Sequence, residues 1–126
     1  MKKFYYPRFF RIGWLSAQLF CKSYEMELAS FENIEEVNKV FDLLNADSHS
    51  MTTGYVLVDG ITLTPGSHDW YWTQNGRKIS FSIPWEPKNP SGGNEQCLGM
   101  AKNEKNFNDI DCKSHESTFL CQKVKL

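Results

Sequence analysis

The chain lacks the residue spacings that mark most chemistry. In 126 residues there is no Cys-x-x-Cys and no His-x-x-x-His, and the three histidines, His49, His68 and His115, are scattered. A tetrahedral zinc site has no ligand spacing to build on. No Gly-rich phosphate loop, Ser-His-Asp arrangement or metal-hydrolase spacing is present, which argues against an enzyme. Excess charge is missing as well. Lys+Arg 14 against Asp+Glu 15 gives a formal net charge of −1 with no basic stripe, so nucleic acid and anionic membranes are poor partners. No apolar run approaches 18 residues, so no segment reads as membrane-spanning. No Asn-x-Ser/Thr acceptor exists either, because Asn89-Pro90-Ser91 is disqualified by its proline. Without repeats or low-complexity linkers, the chain reads as a single domain, 1–126, with a modest core.

What is present begins with four cysteines, an even number that allows three pairings. Without metal spacing they read as disulfides, and disulfides persist in oxidising, extracellular surroundings. Met1-Lys2-Lys3 followed by Phe4-Tyr5-Tyr6 imitates the start of a signal peptide. Pro7, Arg8 and Arg11 interrupt the apolar run, and no small-x-small cleavage site follows. The alternation through Phe4, Tyr6, Phe9 and Ile12 reads instead as a first strand, in a mature chain whose signal has been removed.

Two helical patterns follow. Trp14, Ala17, Cys21 and Tyr24 recur at helical spacing behind Gly13, an acceptable N-cap. Asn33 with Glu36 three residues on makes a capping-box-like start, and Ile34, Val37, Phe41 and Leu44 form the stripe behind it. Residues 45–53 turn polar and read as a loop. Short strands are then expected at Tyr55-Val56-Leu57-Val58, between Gly54 and Gly60, and at Trp70-Tyr71-Trp72-Thr73. The Asn75-Gly76 turn leads to another at Lys78-Ile79-Ser80-Phe81, after a turn at Thr64-Pro65-Gly66-Ser67. Cys97-Leu98-Gly99-Met100-Ala101, Phe107-Asn108-Asp109 and Thr118-Phe119-Leu120-Cys121 close the list. Helices first and antiparallel strands afterwards predict an α+β fold. Trp14, Ala17, Phe41 and Leu44 are expected to pack on a sheet carrying Tyr55, Leu57 and Trp72. The rings of Trp70, Tyr71 and Trp72 are expected to serve the core.

The last third carries the functional signal. Trp85-Glu86-Pro87-Lys88-Asn89-Pro90-Ser91 runs into Gly92-Gly93-Asn94-Glu95-Gln96-Cys97, then Phe107-Asn108-Asp109-Ile110-Asp111-Cys112. Prolines, a Gly-Gly turn and an Asn-Asp pair gather oxygen side chains on irregular backbone, the chemistry a hard cation such as Ca²⁺ wants. Together with Trp14-Leu15-Ser16-Ala17-Gln18-Leu19-Phe20-Cys21 and Glu27-Leu28-Ala29-Ser30-Phe31, these stretches resemble the C-type lectin-like family along nearly the whole chain. The likeness is to its short, two-disulfide, invertebrate-like secreted members. The resemblance implies two helices packed on short antiparallel sheets with a long ligand loop, and it selects the pairings Cys21–Cys121 and Cys97–Cys112. It also implies one Ca²⁺ site, with Asn89, Ser91, Glu95, Asn108 and Asp109 binding both the ion and a carbohydrate, around a cis Pro90.

The departures from the family pattern bear on affinity. Asn89-Pro90-Ser91 stands where mannose-type members hold Glu-Pro-Asn and galactose-type members Gln-Pro-Asp, so it matches neither. The loop to Cys97 is short, and Phe107 replaces the usual tryptophan. Glu95, Asn108 and Asp109 match. Losing a carboxylate at Asn89 removes one charge, which points to weak Ca²⁺ binding, on the order of 10⁻³ M. An auxiliary second Ca²⁺ site has no recognisable acidic set. The resulting expectation is a secreted, non-enzymatic, Ca²⁺-dependent lectin for glycans on cell or microbial surfaces, as in innate pattern recognition. The alternative is a protein-binding module or homo-oligomer of the same fold with a weakened or lost ion site.

Overall fold

The computed structural model describes residues 2–9, 11–46 and 55–124. Chain order is β1 (Lys2–Tyr5), β2 (Ile12–Gly13), α1 (Trp14–Ser23), β3 (Glu27–Leu28), α2 (Ile34–Ala46), β4 (Tyr55–Ile61) and β5 (Tyr71–Trp72). It closes with β6 (Glu95–Ala101), β7 (Asn106–Asp111), β8 (Glu116–Phe119) and β9 (Cys121–Val124). This is the expected α+β arrangement. One sheet has the order β1-β9-β3, bringing the two ends of the chain together antiparallel. The other has the order β2-β8-β4-β6-β7, with β5 paired to β4 and a parallel step between β4 and β8.

Side-chain alternation along β4 divides the core. Val56 and Val58 join α2 (Val37, Val40, Phe41, Leu44) together with Trp70, Trp72 and Phe107. Leu57 faces the other way, onto Trp14, Ala17 and Cys21 of α1 and Ile110 and Phe119. The expected set of helix and strand residues is therefore split between two clusters on opposite faces, because successive strand side chains point to opposite sides. Trp14 also donates its indole N–H to the Val58 carbonyl at 2.8 Å, tying α1 to the central strand. Trp70 and Trp72 are buried as expected, while Tyr71 is half-buried.

The pairings Cys21–Cys121 and Cys97–Cys112 are both formed, at sequence separations of 100 and 15. A closure as long as the first restricts the unfolded chain by about 4 to 5 kcal/mol on chain-entropy arguments. At the start of α2, Asn33 Oδ1 accepts the Glu36 N–H at 2.9 Å, as the capping pattern predicts. Glu36 Oε1 reaches one residue further back than expected, to the Glu32 N–H at 3.1 Å.

Several boundaries differ from expectation. The first strand stops at Tyr5, ahead of Pro7, which has no N–H for a ladder; Ile12 belongs to a separate two-residue strand on β8. Tyr24 is the C-cap of α1 and 62% exposed, so it does not extend the buried stripe. Ile34 is only half-buried. Asn45 and Ala46 complete α2, and the rest of the expected 45–53 loop, like Gly54, lies outside the described residues. β4 runs through Gly60 to Ile61. A Cβ at Gly60 would sit 2.6 Å from Leu98 Cδ2, so only glycine lets the two strands approach there. The segment after Asn75-Gly76 forms only an isolated bridge, Tyr71 to Lys78, because Ile79, Phe81 and Ile83 turn into the core.

Asp59 on β4 is fully buried. Its carboxylate accepts the backbone N–H of Thr73 at 2.9 Å, that of Gln74 at 3.3 Å, and the Thr73 hydroxyl. Burial raises its pKa from 3.8 to about 6, the hydrogen bonds opposing the shift in part. Between those values the folded chain holds more protons than the unfolded one, so stability falls as pH rises through this window. Urea unfolding from pH 4 to pH 7.5 should therefore show a loss of at most about 3 kcal/mol attributable to Asp59. Asp59→Asn should flatten that part of the profile.

Candidate functional site

The chain from 62 to 94 runs as mostly irregular backbone, interrupted by β5, between strands β4 and β6. Its last part, 84–94, lies along the free edge of β7. Phe107 N–H donates to the Pro84 carbonyl at 2.8 Å and Glu86 N–H to the Phe107 carbonyl at 2.9 Å. A turn closes with Asn89 N–H on the Glu86 carbonyl at 3.0 Å, and the Asn89–Pro90 bond is cis. Gly92 has φ 86°, and a Cβ there would lie 3.1 Å from Gly66 N, so the Thr64-Pro65-Gly66-Ser67 turn packs directly on the loop.

Three of the five residues expected at the ion and sugar site come together. Asp109, fully buried, accepts the Ser91 N–H at 3.1 Å on one carboxylate oxygen and the Gly92 N–H at 2.9 Å on the other. The Ser91 hydroxyl lies 2.5 Å from Glu95 Oε1 and 3.5 Å from Asp109 Oδ1. Asn89 is half-buried at the turn. Asn108, one step along β7 from Asp109, is directed by strand alternation to the other face. Its neighbour there is Tyr55, whose hydroxyl also meets Glu86. Burial, with the Glu86 carboxylate beside it, holds the Tyr55 pKa above the usual tyrosine value. Asn108 Oδ1 and Glu86 Oε1 are buried with no hydrogen-bond partner.

Ca²⁺ asks for six to eight oxygens. A carboxylate offers about four acceptor positions, and Asp109 directs its own at two N–H groups and a hydroxyl. Glu95 receives the Ser91 hydroxyl. The Asn108 oxygen is unengaged but belongs to the Tyr55 side. In this loop conformation hydrogen bonds join Ser91, Glu95 and Asp109, while Asn108 is turned to Tyr55. No cluster of three or more His, Cys, Asp or Glu suited to a metal exists among the described residues. Sequence reading passed over Glu86 and Tyr55. Glu86-Pro87 is itself a carboxylate–proline pair, but only the fold reveals that it shares Tyr55 with Asn108.

Comparison with known proteins places this architecture. The family model for the lectin C-type domain matches residues 11–123. The chain is 30% identical to C-type lectin 37Da of Drosophila melanogaster over 128 residues, covering 91% of this chain and 64% of that protein. It thus spans less than two thirds of that relative's length. Among solved structures, the C-type lectin domain of murine dendritic cell inhibitory receptor 2, in complex with N-glycan, superposes with a TM-score of 0.81 at 18% identity, over 98% of this chain and 91% of that one. A calcium-independent type II antifreeze protein superposes with a TM-score of 0.75 at 23% identity, over 98% of this chain and 86% of that one. Identities this low speak for the fold alone.

Asp109→Ala should leave the buried Gly92 N–H without an acceptor and destabilise the protein by about 1 to 3 kcal/mol. Hydrogen exchange should show faster loss of protection at Gly92 than at the β6–β7 ladder. Equal protection at Gly92 in both proteins would mean the loop does not depend on Asp109.

Proposed function

The chain belongs to the C-type lectin domain family, and on that premise we propose that it is a glycan-binding module that keeps its recognition loop in shape without a cation. The observation carrying this reading is the double engagement of Asp109 with the Ser91 and Gly92 N–H groups. A loop shaped by its own hydrogen bonds is already ordered when a sugar arrives, so little conformational entropy is lost on binding. The half-buried Asn89 and Glu95 and the exposed Ser91 then offer an amide, a carboxylate and a hydroxyl to vicinal sugar hydroxyls. The likeness to a calcium-independent fold relative is compatible with this reading.

A second reading is favoured by the unpartnered Asn108 oxygen. In it the loop rearranges so that Asn89, Ser91, Glu95, Asn108 and Asp109 hold one weakly bound Ca²⁺ that contributes to sugar recognition. Under either reading the two disulfides suit an extracellular protein that meets glycans on cell or microbial surfaces, with pattern recognition in innate immunity as the role. A protein-binding role without sugar is the remaining option.

A glycan array with Ca²⁺ and with chelator separates these readings. Binding retained in chelator, and reduced by Glu95→Ala, is the expected result. Binding lost in chelator, with a melting temperature that rises in millimolar Ca²⁺, would favour the second reading. Ca²⁺ at a hundredfold excess over its dissociation constant would then stabilise the fold by about 2.7 kcal/mol, and Asn89→Glu would strengthen that response. No glycan bound in either buffer would leave the protein-binding role.

A further inference from the structure

We propose a second ligand site, remote in sequence from the 84–94 loop and built for a neutral polyhydroxylated molecule of saccharide type. It is a cavity of about 570 Å³ between the β1-β9-β3 sheet and the turn that follows β5. That volume is in the range of small-molecule sites, which pair an apolar surface with a few fixed polar groups.

The interior has that composition. Trp72 and Phe31, 6% and 2% exposed, form its apolar floor at the edge of the core, their rings in an edge-to-face contact with centroids 6.0 Å apart. Against them stands a set of side-chain amides held rigidly in place. Gln122, 1% exposed, accepts the Ser30 N–H at 2.9 Å and directs its amide nitrogen at Glu27 Oε1 at 3.2 Å and Ser30 Oγ at 3.1 Å. The Ser30 hydroxyl in turn donates to Gln74 Oε1 at 3.2 Å, and the Gln74 amide donates to the Leu28 carbonyl at 2.5 Å. Asp59 fixes the backbone of this wall by taking the N–H groups of Thr73 and Gln74. Such a network also has structural value, since it joins β9, β3 and the turn after β5. A structural network alone, however, does not call for an open cavity beside it.

Charge selects the ligand class. Lys2, Arg77 and Lys78 line the cavity with positive charge, Glu27 and Glu32 with negative. Lys2 is paired with Glu36 at 3.0 Å and Lys78 with Asp69 at 2.7 Å, which leaves the lining close to balance. An anion would meet the glutamates and a cation the basic groups. A sugar hydroxyl, both donor and acceptor, suits the carboxylates and the basic donors of the lining together.

Nitrogen-15 NMR of the intact chain tests this, with methyl α-mannoside and N-acetylglucosamine as neutral probes and glucosamine and glucuronate as charged ones. Neutral sugar should shift the side-chain amide signals of Gln74 and Gln122 and the Trp72 indole signal saturably. The shifts should persist in chelator and in Glu95→Ala, which disables only the loop reading. Gln74→Leu should weaken them about tenfold, the factor for loss of one good hydrogen bond. Should that variant fail to fold, Arg77→Ala and Glu27→Gln at the cavity should each weaken binding with the fold intact. Shifts confined to residues 86–95, no shift at these three signals, or tighter binding of a charged probe than of both neutral ones would overturn the proposal.

Discussion

Strand β4 is covered on both faces, and the rest of the molecule is arranged around that constraint. Val56 and Val58 need one apolar layer and Leu57 another, so α2 lies to one side and α1 to the other. The Trp14 indole bonded to the Val58 carbonyl and the close passage of Gly60 under Leu98 fix the two layers to the strand. With β8 on one side and β6 on the other, β4 has no room for a ligand. Much of the irregular backbone falls in the stretch between β4 and β6, whose last part, 84–94, lies beside β7.

Two buried carboxylates hold that irregular backbone. Asp59 takes the N–H groups of Thr73 and Gln74, and Asp109 takes those of Ser91 and Gly92. Both are 0% exposed. A buried carboxylate is costly unless hydrogen-bonded, so each holds its loop in the conformation that supplies its donors. At Asp59 desolvation outweighs its hydrogen bonds and the pKa rises. The two anchors also locate the proposed ligand surfaces: the loop at Asp109 and the amide-lined cavity at Asp59.

Much of the architecture was legible because it rests on local pattern. The stripe of Val37, Phe41 and Leu44 behind the Asn33 cap follows from helical periodicity, and it is buried as read. The disulfide pairing was not legible from spacing, which left three possibilities; it came from resemblance to a family. The first strand was overextended because an alternating pattern continued past Pro7 while the hydrogen-bonded ladder did not. Lys78-Ile79-Ser80-Phe81 looked like a returning strand because the Asn-Gly turn is a local signal. Whether the strands then pair depends on what the core demands of Ile79 and Phe81.

The candidate site divides along the same line. Its residue types and order, Asn89-Pro90-Ser91, Glu95 and Asn108-Asp109, were picked out by the resemblance to the family, which sets them against the matching motif positions. By itself the sequence determined the α+β class, the helix faces and which oxygen groups are near one another along the backbone. Only the tertiary structure decided which of those oxygens share a space. Strand alternation turns Asn108 toward Tyr55 and Glu86 and Asp109 toward Ser91 and Gly92. It also decided that Gln74 and Gln122, 48 residues apart, meet in one network beside a cavity. Proximity along a chain is set by covalent geometry, whereas convergence across it is set by burial and by pairing every buried polar group, which no local stretch of sequence specifies.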